Sequence, residues 1–73
     1  MDLSTLSKGQ LGVINSIEAK PELAVQLLEQ GFTPGSSVRM VSGGVFQDPI
    51  AFAVRGTTIA LRRSEAECIK LQA

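Results

Sequence analysis

The stretch LLEQGFTPGSSVRM, residues 27–40, decides how this chain folds. A leucine-rich run stops at Gly31, and Pro34-Gly35 follows before an alternating segment begins. Gly31 suits the left-handed conformation that closes a helix, because it has no Cβ to clash there. Thr33-Pro34-Gly35-Ser36 has proline at the second turn position and glycine at the third, the pattern of a type II turn. The joint therefore predicts a helix end at Gly31, a chain reversal at Pro34-Gly35 and a strand from Ser37 onward, with Phe32 as a hydrophobic contact capping the helix.

Upstream of the joint, KPELAVQLLEQG opens with Pro21, which suits the first helical position, where an N–H is not needed. Glu22 favours the positive end of the helix dipole. At about 100° per residue, Leu23, Ala24, Leu27 and Leu28 form one apolar stripe. Gln30 sits at its edge, and Val25 lies beyond the other edge. Before the helix, Leu3 and Leu6 are spaced for one helical turn. GQLGVINSIEA then reads as a β-strand by length and β-branching, with Leu11, Val13 and Ile17 on one parity and Ile14 on the other.

Downstream, SVRMVS alternates Val38 and Met40 against Arg39 and Val41. GGVFQDP reads as a loop. IAFAVR places Ile50, Phe52 and Val54 on one face, with Ala51, Ala53 and Arg55 on the other. Gly56 and its neighbours make a tight turn, and TIALR returns with Ile59 and Leu61 inward. Ser64-Glu65-Ala66-Glu67 fits a capping box that starts a helical turn, and CIKL is a closing strand. Short strands spaced by turns, with one helix inserted after the first, predict a mainly β protein with short helices: a small SH3-like barrel forming a single domain over residues 1–73.

Composition narrows the function. The chain has 73 residues, one cysteine and no histidine. Neither an intrachain disulfide nor a Cys/His zinc site can be assembled. A core this small supplies roughly 3–5 kcal/mol, so stability rests on packing and turn chemistry. Seven basic and seven acidic side chains cancel, which removes any bulk attraction to nucleic acid or anionic lipid. The longest apolar run, Ile50–Val54, is far short of the ~20 residues that span a bilayer. The start MDLSTLSKG has no apolar core of a signal peptide, and a lone cysteine fits a reducing compartment. The expectation is a soluble cytoplasmic protein.

No catalytic constellation is visible. Cys68 has no second soft ligand and reads as a small hydrophobe before the last strand. Asp48 precedes a proline and reads as a turn residue. Glu65 and Glu67 belong to a capping turn. SGGVFQDP lacks the spacing and lysine of a phosphate loop. No metal site, cofactor or enzymatic activity is expected. The arginines are more informative. Residues 39–63 hold Arg39, Arg55, Arg62 and Arg63 against the single Asp48. Arg39, Arg55 and Arg62 fall on the outward parity of their strands and could share a surface that meets an acidic partner. Nucleic acid would also want aromatic platforms. The chain has three phenylalanines and no Trp or Tyr, and only Phe46 reads as presented to solvent, so nucleic acid is not an expected partner.

The order LSKGQLGVINSI, LLEQGFTPGSSV, DPIAFAVRG and IALRRSEAECIKL resembles the FeoA family, small cytoplasmic companions of the bacterial ferrous-iron transport GTPase. The combination LLxxGFxPGxxV…DPIxxxVRGxxIALRxxEAxxI covers nearly the whole chain. Two positions depart from the family pattern. Gln26 stands where arginine is common, and Gln30, where an apolar residue is common, puts a polar group at the rim of the buried stripe. The resemblance implies a non-enzymatic accessory or regulatory protein of ferrous iron uptake. It would dock on the cytoplasmic side of a FeoB-type GTPase transporter, peripheral to the inner membrane through that partner and without inserting itself. A weak homo-oligomer is compatible with this. The exposed candidates for the contact are Val25, Gln26, Arg39, Phe46, Arg55 and Arg62. The same barrel also occurs at the C-terminus of iron-dependent repressors, which implies the alternative of a metal-linked transcriptional regulatory module. A transporter gene next door would favour the first, a repressor gene the second.

Overall fold

The computed structural model describes residues 1–43 and 46–73. Gly44 and Val45, part of the expected GGVFQDP loop, lie outside the described residues. A 3₁₀ turn, Leu3–Thr5, leads into β1 (Leu11–Ile17), α1 (Pro21–Glu29), β2 (Ser37–Ser42), β3 (Ile50–Val54), β4 (Thr57–Leu61), α2 (Arg63–Ala66) and β5 (Ile69–Leu71). The strands form one antiparallel sheet in the order β4-β3-β2-β1-β5, with α1 inserted after the first strand as expected.

The joint folds as its chemistry dictates. The Phe32 N–H donates to the Leu27 carbonyl at 3.1 Å and the Gly31 N–H to the Leu28 carbonyl at 3.0 Å. These are the paired bonds of a Schellman motif, and they satisfy two carbonyls that the helix end leaves open. Gly31 has φ +110°. Gly35 has φ +89°, and the Ser36 N–H reaches the Thr33 carbonyl at 3.0 Å, which closes the type II turn. That turn is stitched to β1: the Gly35 N–H donates to the Ile14 carbonyl and the Ile14 N–H to the Ser36 carbonyl. Phe32 is more than a cap contact. It is fully buried and is among the largest side chains of the core.

The core gathers Leu3, Leu6, Ile14, Leu27, Phe32, Val38, Met40, Ile50, Phe52, Val54, Leu61, Ala66, Ile69 and Leu71. The alternation read for β2 and β3 holds, with Val38 and Met40 inward on one and Ile50, Phe52 and Val54 inward on the other. In β4, Leu61 is buried and Ile59 half-buried. The helix stripe is narrower than its periodicity implies. Leu27 is buried, Leu23 and Ala24 are partly so, but Leu28 is 41 % exposed. Gln30 sits at the rim as expected, half-buried, with a buried Oε1 that has no partner among the described residues.

In β1 the inward residues are Gly12, Ile14 and then Ile17. A register shift between Ile14 and Ser16 changes the parity at Asn15. Gly12 is the inward position where Leu71 and Leu6 close in: a Cβ there would lie 3.0 Å from Leu71 Cδ1 and 3.5 Å from Leu6 Cδ2. Leu11 and Val13 are thereby turned to the outside.

Candidate docking surface

The register places one row across the outer face of four strands. Leu11 of β1 stands opposite Arg39 of β2, Arg39 opposite Ala53 of β3, and Ala53 opposite Thr58 of β4. Directly opposed residues have Cβ atoms about 4.5–5.5 Å apart, so these side chains are neighbours. Val13 and Ala60 extend the row's surroundings beside Ser37 and Ala51. Leu11 is 56 % exposed. Arg39 is the single charged residue in β1–β4, and none of those strands contains an acid. The face is thus weakly apolar around one cation. Sequence parity put Arg39 on it. The sequence pattern does not single out Leu11 and Val13 for it, because the direction of β1 depends on its bulge and on Leu71.

Arg55 and Arg62 are not on strand faces. Arg55 follows β3 and forms, with Gly56, a two-residue turn in which both φ values are positive, +50° and +80°. Those angles match a type I′ turn, the connection that fits the twist of adjacent strands. Its guanidinium Nη1 donates to Thr33 Oγ1 at 3.3 Å, which brings Arg55 to the joint after α1. Arg62 follows β4 and caps the N-terminus of α2. Val25, 54 % exposed, and Gln26 lie on the outer side of α1 beside exposed Leu28. Phe46, at 99 %, is almost wholly in solvent. The six candidates are all exposed, and of them only Arg39 lies within a strand of the sheet.

Asp48 and Glu65 are engaged at the start of α2. The expected box at Ser64–Glu67 is displaced by two residues. The Arg62 N–H donates to Glu65 Oε1 at 2.8 Å, and the Arg63 N–H donates to Asp48 Oδ1 at 2.8 Å. Asp48 thus serves from fifteen residues away as a cap that a local motif does not supply. The Arg63 guanidinium also reaches the Gln47 carbonyl at 3.1 Å. Cys68 is half-buried and its Sγ donates to the Ser64 carbonyl at 3.5 Å. Among the described residues no three of His, Cys, Asp or Glu group as a metal cage. A groove of about 420 Å³ runs over Leu6, Met40 and Ile50 between Lys8 and Arg63; among the described residues its lining includes the hydroxyls of Ser4, Thr5 and Ser7 but no His, Cys, Asp or Glu that could act on them as a base. Among the described residues no helix is long and apolar enough to cross a membrane.

An antiparallel five-stranded sheet wrapped on one core, with a helix between its first two strands, defines a small SH3-like domain. A protein-family description, the FeoA domain, matches residues 1–73, and the chain belongs to that family. The crystal structure of Stenotrophomonas maltophilia FeoA complexed with zinc, described as a procaryotic SH3 domain protein, is 37 % identical, with a TM-score of 0.89 over 99 % of this chain and 89 % of that one. A fusion of Fe(2+) transport protein A with the Fe(2+) transporter FeoB from Porphyromonas gingivalis is 29 % identical over 72 residues, which are 99 % of this chain and 8 % of the fusion. The chain therefore spans a small part of that relative. A manganese-dependent transcriptional repressor complexed with manganese has a TM-score of 0.87 at 23 % identity, over 99 % of this chain and 35 % of that one. At that identity the likeness extends to the fold alone.

Proposed function

We propose that this domain, residues 1–73, is a non-enzymatic accessory module of ferrous iron uptake that docks on the cytoplasmic side of a FeoB-type GTPase transporter. One observation carries the proposal: in the Porphyromonas gingivalis relative, a domain like this one is joined in a single polypeptide to a FeoB transporter. Fusion holds two parts at a high effective concentration, and the arrangement is useful where they work in contact. The surface supports the same reading. The outer face of β1–β4 offers exposed Leu11, Val13 and Ala60 around Arg39, and the carboxylates that are hydrogen-bonded in the structure are used as caps, Asp48 and Glu65 on α2 and Asp2 on the Leu3–Thr5 turn. Iron is cargo of the transporter in this scheme, and the module acts by contact.

The test is reversal of Arg39. Like charges facing one another across an interface cost several kcal/mol, whereas an exposed charge change shifts stability by about 0.5 kcal/mol or less. Arg39→Glu is expected to keep the wild-type melting temperature, to lose capture by the transporter's cytoplasmic domain, and to fail to restore iron uptake in a strain lacking the module. Wild-type binding should weaken with salt, since exposed pairs are screened over about 8–10 Å. Val25→Lys probes docking through α1 instead. A folded Arg39→Glu variant with full uptake would remove the sheet face from the proposal.

A further inference from the structure

The β3–β4 register determines which backbone groups of β4 remain without partners. Val54 and Thr57 flank the two-residue turn, and the pairs then run Ala53 with Thr58, Phe52 with Ile59, Ala51 with Ala60 and Ile50 with Leu61. In such a hairpin the residues that flank the turn exchange hydrogen bonds, and bonded and non-bonded pairs alternate from there. Thr57, Ile59 and Leu61 therefore spend their N–H and C=O groups on β3. Those of Thr58 and Ala60 point the other way, along the outer edge of the sheet, where β4 is the last strand. They reach no backbone partner in another element among the described residues.

Free edges are normally blunted by lysine, proline or a bulge. β4, Thr-Thr-Ile-Ala-Leu, has no charge and no proline, and its pairing with β3 runs without a register shift. The side chains of Thr57, Thr58 and Ala60 are exposed, and Ile59 is only half-covered. The edge is short, uncharged and unbroken by a bulge.

We propose that this edge receives an extended segment of the docking partner as a sixth strand, with acidic residues flanking the part that pairs. Two N–H and two C=O groups, alternating at Thr58 and Ala60, are what an antiparallel or parallel strand satisfies, and added strands gain affinity through main-chain bonds. Arg55 lies just before β4 and Arg62 just after it, so a cation stands at each end of the edge. A second copy of this chain fits poorly. Antiparallel self-pairing centred on Ile59 brings Arg62 of one copy beside the Arg55–Gly56 turn of the other, at both ends, and like charges there oppose it. The outer side chains of an added strand would continue the row Leu11, Arg39, Ala53, Thr58. This inference rests on the docking proposal and names the backbone that makes the contact.

Proline separates it from docking through side chains. At Ala60 it removes an N–H that β3 does not use, and proline is tolerated on edge strands where the N–H faces outward. Ala60→Val keeps the N–H and suits a strand. The cytoplasmic domain of the FeoB-type transporter from the same genome serves as the probe, with affinity read by interferometry. The expected result is a loss of about tenfold or more for Ala60→Pro, equal to about 1.4 kcal/mol, and a clearly smaller loss for Ala60→Val, which alters the outer face but keeps the N–H. Amide exchange of the wild type provides a readout independent of the variants: the Thr58 and Ala60 amides should exchange fast in the free domain and slowly in the complex. Wild-type affinity in a folded Ala60→Pro variant, or unchanged exchange at both amides in the complex, overturns the sixth strand and leaves docking itself intact. Protection of these amides in the domain alone, rising with its concentration, replaces the partner with a second copy. Failure of the wild type to bind the probe overturns both proposals.

Discussion

Gly31→Val tests the joint most directly. Gly31 has φ +110° and carries the N–H that returns to Leu28, with Phe32 immediately after it buried in the core. A side chain forced into such a backbone region costs about 1–3 kcal/mol, and a β-branched residue is at the upper part of that range. Sterics add little. A Cβ at Gly31 would lie 3.2 Å from Arg55 Cδ, part of a flexible side chain that can move at the expense of its exposed bond to Thr33. If the helix relaxed instead, Phe32 would have to leave its site, which costs more than the strain. For a domain of this size about 1 kcal/mol lowers the melting temperature by about 4–8 °C, so Gly31→Val should melt roughly 5–20 °C below wild type. Gln26→Val is the control. It places the same side chain on the exposed helix surface, where propensity alone costs about 0.5 kcal/mol. Urea unfolding followed by circular dichroism, with m-values compared, gives the free energies. Equal stability of the two variants would refute the reasoning, because the helix would then end without needing the conformation only glycine adopts freely.

Two further outcomes are expected. Asp48→Ala should destabilise the domain by about 1 kcal/mol, the usual loss for an N-terminal cap, and should raise amide exchange at Arg63, whose N–H it receives; an unchanged exchange rate would show that the 2.8 Å bond is dispensable. Fe²⁺ and Zn²⁺ should bind weakly, since the chain has no histidine and a single cysteine whose Sγ faces a carbonyl; calorimetry showing a stoichiometric submicromolar site on the monomer would contradict this.

The features legible in the residues alone are local and steric. Gly31, Pro34-Gly35 and the Gly56 turn depend on φ values that one or two residues set, and the alternation of Val38 and Met40 or of Ile50, Phe52 and Val54 depends on the two-residue period of a strand. Those readings need no knowledge of distant neighbours, and they hold in the structure. Every feature that requires a partner far along the chain is settled only by the folded sheet. Apolar residues on both parities of β1 leave its inward face undetermined until Leu71 packs over Gly12 and the bulge at Asn15 turns Ile17 back to the core. The helix stripe could not show that the core would cover Leu27 and leave Leu28 outside. Arg55 and Arg62 read as strand residues because alternation runs through them, but the strands end one residue earlier, where a type I′ turn and a helix cap begin. Asp48 capping α2 is the plainest case: a side chain beside Pro49 and an N–H at Arg63 meet only after β3 and β4 have folded back on each other. Local backbone preferences act within a few residues. Which face is buried, and which carboxylate meets which N–H, depends on contacts that exist only once the sheet has closed over its core.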